Sequence, residues 1–257
     1  MKKVLILGVL TACVSVAASS AVQADEHEST LHAVPVELWA CKYNEGKGPA
    51  DLDAAVDKWN AWADEQGMDD YAAWTLTPYY YGPEQDFDVL WLGAGKDGVS
   101  LGKAQDDYLK EDAGIRAGFG AVVSCDAHVN YASLQHKAPP ENATPGNSVL
   151  TFSDCKYKEG GTFDDLTAAM AKWSAHLESG GSTAAVWHWY PVYGGGQEEF
   201  HFKWLEGFAN FAELGGDFDR YGNGGGWRVA GDLFRDLVEC DSSRAYLAQS
   251  RRYAQLR

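Results

Sequence analysis

The chain has 257 residues and a formal net charge of −16. That excess of carboxylates repels phosphate backbones and anionic lipid, which argues against nucleic acid as a partner. Its 13 tyrosines and 10 tryptophans do not suit a disordered chain. The acidity admits attraction of a cationic ligand or a metal, but charge spread without blocks is also what solubility alone requires.

The N-terminus predicts export. Lys2-Lys3 form a positive n-region, an apolar run follows from Val4, and Val22-Gln23-Ala24 is a small-residue cleavage site before Asp25-Glu26. Residues 1–24 therefore read as a signal peptide, and the mature chain as periplasmic or secreted. Leu10-Thr11-Ala12-Cys13 offers a competing lipobox with a lipid anchor at Cys13, although the residues after Cys13 stay apolar where a lipoprotein turns polar. No later stretch reaches the roughly 20 apolar residues of a membrane span.

Beyond the leader, Val36 to Cys41 alternates as a strand does, and Pro49 suits the first turn of a helix. Leu52, Ala55, Val56, Trp59 and Ala63 then form a helical stripe. A hairpin follows, from Tyr71 to Thr77 and Phe87 to Leu92, then a weaker helical stretch interrupted by glycine, and a closing strand from Asp126 to Leu134. The order then repeats. Cys41-Lys-Tyr-Asn-Glu-Gly returns as Cys155-Lys-Tyr-Lys-Glu-Gly, the helical stripe as Leu166, Ala169, Met170, Trp173 and Leu177, and Trp74, Trp91 and Tyr108 as Trp187, Trp204 and Tyr221. Gly222-Asn-Gly-Gly-Gly226 lacks the Lys-Ser/Thr of a phosphate loop and reads as a flexible connection. Residues 135–148 hold Pro139-Pro140 and Pro145-Gly146 without apolar periodicity, which predicts a linker.

Four cysteines remain after the leader and allow three pairings. The repeat selects Cys41 with Cys125 and Cys155 with Cys240, each pair inside one copy, and export makes disulfides the default over metal ligation.

Each copy thus reads strand, helix, strand, strand, helix, strand, the ferredoxin-like βαββαβ order. The expected fold is α+β, with two tandem ferredoxin-like domains over residues 34–134 and 149–250. Two such units resemble the dimeric α/β-barrel superfamily. That resemblance implies an intramolecular barrel, two sheets packed face to face with helices outside. It also brings in relatives that include small monooxygenases and haem-handling enzymes.

The candidate site follows from strand alternation. If the second hairpin turns between Gly194 and Gly195, His188 lies opposite His201, and His188, Tyr190, His201 and Lys203 share one face, which barrel closure could turn inward. Two neutral imidazoles across a strand pair suit Cu, Zn, Ni or haem iron, so His188 and His201 are the candidate metal ligands. Tyr80 and Tyr193, in the repeated Pro-x-Tyr-x-Gly turns, are further ligand-binding candidates. His128, His136 and His176 stand alone and read as structural or solvated. The residues name no cofactor. The expected function is an exported small-ligand-binding or interaction protein; the alternative is a monooxygenase-like or haem-handling enzyme working between the two sheets.

Overall fold

The computed structural model describes residues 32–141 and 146–254; the leader and Cys13 lie outside the described residues. The first half runs β1 (Ala33–Tyr43), α1 (Pro49–Glu65), β2 (Tyr71–Tyr80), β3 (Val89–Gly95), α2 (Gly98–Lys110), α3 (Ile115–Gly120) and β4 (Val123–Lys137). The second runs β5 (Ser148–Tyr157), α4 (Phe163–Ser179), β6 (Ala185–Tyr193), β7 (Phe202–Phe208), α5 (Phe211–Gly222), α6 (Gly226–Phe234), β8 (Val238–Cys240) and β9 (Arg244–Arg252).

Local chemistry accounts for the best-defined helices. Pro49 opens α1 and the Asp51 carboxylate accepts from the Gly48 amide at 3.1 Å, while Leu52, Val56, Trp59, Trp62 and Ala63 turn one buried stripe to the sheet. In α4 the Thr162 hydroxyl accepts from the Asp165 amide, and the stripe of Leu166, Ala169, Met170, Trp173 and Leu177 is buried in the same way. The glycine-interrupted stretch expected as one helix per half is two, α2 with α3 and α5 with α6. The run between α5 and α6 is a tight turn: a Cβ on Gly224 would stand 2.6 Å from the Arg220 carbonyl oxygen, and Gly225 has φ +84°.

All strand pairings are antiparallel. The order β7-β6-β4-β1-β3-β2-β9-β5 closes through a β7–β5 pairing, giving an eight-stranded barrel with β8 appended to β5. Within the first half the order is β4-β1-β3-β2, and within the second β9-β5-β7-β6. Residues 135–137, expected in the linker, extend β4 and pair with β6.

Cys41 stands opposite Cys125 across β1–β4, and Cys155 opposite Cys240 across β5–β8; both pairs are bonded, with S–S distances of 2.03 and 1.99 Å. The pairs chosen by spacing are the ones formed, and they fit an oxidising compartment. Among the described residues no helix is long and apolar enough to cross a membrane.

One side-chain set fills the barrel: Val36, Leu38, Leu76, Tyr131, Phe152 and Trp189 belong to a single buried cluster. The opposite set packs outward against the helices, in one cluster in the first half and two in the second. The barrel cluster lines the space between the two sheets in which the enzyme alternative would work.

Candidate functional site

The polar centre of the molecule lies outside the barrel, beneath α1, α2 and α3. In β1 the alternation that sends Val36 and Leu38 inward sends Glu37, Trp39 and Cys41 to the helix layer. Glu37 is only 5% exposed, and its carboxylate is held from three elements. Tyr71 Oη, at the start of β2, donates to Oε1 at 2.8 Å; Gln105 Nε2, from α2, donates to Oε2 at 3.0 Å; His128 Nε2, from β4, donates to Oε2 at 2.8 Å. Trp91 Nε1 in turn donates to Tyr71 Oη at 3.0 Å. The His128 ring lies flat on Trp39, with centroids 3.5 Å apart at 15°.

Two backbone features make this arrangement possible. Gly93 faces Glu37 across β1–β3, and a Cβ there would stand 2.0 Å from Tyr71 Oη and 2.9 Å from Glu37 Oε1. A register shift at Ala40/Cys41 brings His128 opposite Trp39. Burial pushes the Glu37 carboxyl up, but the hydrogen bonds from His128, Gln105 and Tyr71 together outweigh it and hold its pKa below the ordinary value. The carboxylate is therefore ionised at neutral pH although it is buried.

These groups line a cavity of about 610 Å³, within the range of small-molecule sites. Its walls are chiefly apolar, with Trp59, Trp91, Tyr108 and Phe119 among them, and Arg116 also borders it. A hydrogen-bonded histidine beside an ionised carboxylate can orient a ligand, hold a metal-bound group or relay a proton.

The residues expected to form one site are dispersed. His188 pairs with Trp204, not His201, because β7 begins only at Phe202 and residues 194–201 form a longer connection than a tight turn. His188 faces the helices, is 1% exposed, and has neither ring nitrogen hydrogen-bonded. Its neighbours are Phe202, Trp204 and His136, the last with ring centroids 4.3 Å away. Burial, then His136, lowers the His188 pKa well below the usual histidine value, and burial lowers that of His136 to about 4. Tyr190 shares a 2.9 Å hydroxyl contact with Tyr157. His201 is exposed and accepts the Tyr157 amide on Nδ1 at 2.9 Å. Lys203 binds Asp154 at 2.5 Å and lies over the Phe200 ring. Tyr80 and Tyr193 are 58% and 74% exposed, away from the cavity. No group of three or more metal-ligating side chains occurs among the described residues.

Sequence reasoning passed over Glu37 and treated His128 as isolated. One signal was available. Glu37 shares strand parity with Cys41, so a carboxylate was aimed at the same covered face as the disulfide.

No protein-family profile and no curated protein matches the chain. Several solved structures match in fold. A provisionally assigned chlorite dismutase aligns at TM-score 0.51 and 11% identity, over 85% of this chain and 94% of its own. A haem-binding protein of Thermus thermophilus aligns at 0.50 and 10%, over 85% and 92%. A double variant of the chlorite dismutase of Candidatus Nitrospira defluvii aligns at 0.50 and 10%, over 84% and 91%. At such identity the likeness is one of fold.

Proposed function

We propose that this is an exported small-molecule-binding protein whose ligand occupies the cavity between the first-half sheet and α1, α2 and α3. The observation that carries the reading is the conjunction of about 610 Å³ of largely apolar space with a buried, fully oriented Glu37–His128–Gln105–Tyr71 network. Such a network is costly to bury and adds little to stability beyond what apolar packing would supply, so a site is the simplest account of it. The repeated motifs and the matching strand order of the halves support a further reading. The chain is a fused pair of ferredoxin-like units, residues 34–134 and 149–250, preceded by a signal peptide over 1–24.

The test is binding of an uncharged aromatic probe, followed by tryptophan fluorescence. Ala104→Phe, which extends a side chain from α2 into the cavity, should abolish it, whereas exposed Val99→Phe on the same helix should not. Unchanged binding in the Ala104 variant would refute the location.

Haem binding is the second reading, favoured by one feature of the site. Glu37 holds His128 through Nε2, the usual support for a metal-ligating imidazole, and this leaves Nδ1 as the donor. The aromatic walls suit a macrocycle. His128 would hold the iron, and the bound group would supply redox chemistry. A Soret band on titration with haem, lost in His128→Ala, is the expected signature; its absence would remove this reading and leave the first intact.

A further inference from the structure

We propose that the ligand of the first-half cavity is an organic cation, an amine or quaternary ammonium carried on an apolar body. This rests on the reading of that cavity as the ligand site. Six aromatic rings border the space: Trp39, Trp59, Tyr71, Trp91, Tyr108 and Phe119. Four of them meet edge to face. Trp59 meets Trp91 at 89° and Tyr71 at 70°, and Trp91 meets Phe119 at 73°. Aromatic faces arranged around a space attract a cation through the ring quadrupole, and most strongly where water is displaced.

The one carboxylate among the lining residues is Glu37, and it is the group the network exists to hold. A carboxylate offers about four lone-pair sites. Tyr71, Gln105 and His128 take three, leaving capacity for a ligand N–H or for direct attraction of an ammonium. Arg116 is the cation among the lining residues; it is exposed and donates to the Leu109 carbonyl oxygen at 3.1 Å, outside the Glu37 network. The net charge of −16 draws cations toward the whole molecule. The second half lacks this equipment. Aligned on Cys41/Cys155 and Cys125/Cys240, it carries Thr151 where the first has Glu37, Ser153 for Trp39 and Ser243 for His128, and those two serines bond to each other at 2.7 Å.

The experiment uses the full mature chain and three probes of similar shape and different charge: benzyltrimethylammonium, neopentylbenzene as its uncharged isostere, and phenylmethanesulfonate. Tryptophan fluorescence reads binding. The cation should bind at least tenfold more tightly than the uncharged isostere, and the anion least. Glu37→Gln should erase that preference. Equal binding of cation and isostere, or preference for the anion, overturns the proposal; if Ala104→Phe still blocks those probes, the cavity stands as the site and only the ligand class falls. Cation binding that survives Ala104→Phe shows that the cavity reading itself has failed. Should Glu37→Gln not fold, the ranking of the three probes on the unaltered protein still decides.

Discussion

A tight constraint on the site is a missing methyl group. Gly93 lies where a Cβ would collide with Tyr71 Oη at 2.0 Å, so the Glu37–Tyr71 bond and the Trp91–Tyr71 bond both depend on a bare backbone there. Gly93→Ala should cost roughly 1–3 kcal/mol in urea unfolding, by overpacking. Tyr71→Phe should cost about the same for a different reason, since it leaves Trp91 Nε1 and one Glu37 oxygen without partners. The double variant should lose less than the sum, because Phe removes the very atom the new methyl strikes. Additive losses would mean that the hydroxyl is not what the glycine accommodates. Gln105→Leu tests the network separately: it removes one of the bonds that hold the Glu37 pKa down, so the stability lost as pH falls below the ordinary carboxylate value should be smaller and its loss should end at higher pH.

At the scale of elements, the outer helices and the adjacency of each half's two cysteine-bearing strands could be read from the chain, but the registers that assemble the site could not. α1 and α4 announce themselves through stripes of apolar residues, and the cysteine spacings fix which strands are neighbours. The β6–β7 register was not legible, because Gly194-Gly195-Gly196 imitates a tight turn while residues 194–201 form a longer loop in which a Cβ on Gly195 would meet the Glu198 carboxylate. The shift at Ala40/Cys41 was equally silent, and without it His128 would not face Trp39. Glu37 reaches Tyr71, Gln105 and His128 across sequence separations of 34, 68 and 91, distances at which no local pattern speaks. The misplaced histidine has its own consequence. His188 and His136 sit neutral between β4, β6 and α4, with His188 unbonded at both nitrogens. Their pKa values are depressed on folding, so the unfolded chain binds more protons below the ordinary value of 6.5. Stability should be full above that pH and fall as pH drops toward about 4, by roughly 2–3 kcal/mol from His136 alone. His188→Leu fills the same apolar surroundings without a protonatable ring, and should flatten this limb and stabilise the fold at pH 5 by about 1 kcal/mol or more in urea titrations. An unchanged pH slope would mean that the pair does not titrate as its burial requires.

For the whole molecule, what matters is how the barrel closes. Two seams join the halves, β2 to β9 and β4 to β6, and both are long: β9 meets β2 from Ala73 to Tyr80, and β6 meets β4 from Asn130 to Lys137. Residues inward of these seams form one cluster drawn from both halves, with Leu76 and Tyr131 of the first against Trp189, Phe152 and Tyr246 of the second. Trp189→Ala, deleting a ring that touches Tyr131 and Phe152, should therefore cost about 3–5 kcal/mol and lower one transition, seen alike by fluorescence and by circular dichroism. The disulfides bind within halves, not across the seams, so their loop-closure contribution, on the order of 4 kcal/mol each, holds each half's own strands together. It does nothing for the seams. Residues 32–141 expressed alone would keep Cys41–Cys125 and the sheet β4-β1-β3-β2, but would leave the β2 and β4 edges and the inner face of Leu38, Leu76, Leu90 and Tyr131 uncovered. Unpaired edges and an apolar face on the same unit cannot stay exposed to water. In the full chain β2 and β4 pair with β9 and β6, the strands at the corresponding edges of a sheet of the same order. A second copy of the first half can offer its β4 to β2 and its β2 to β4, closing a two-fold barrel. Sedimentation of that fragment should give a dimer that dissociates only as it unfolds, and its tryptophan melting temperature should rise with protein concentration. A folded monomer would show that the first half's core is sufficient and that barrel closure is not what stabilises it.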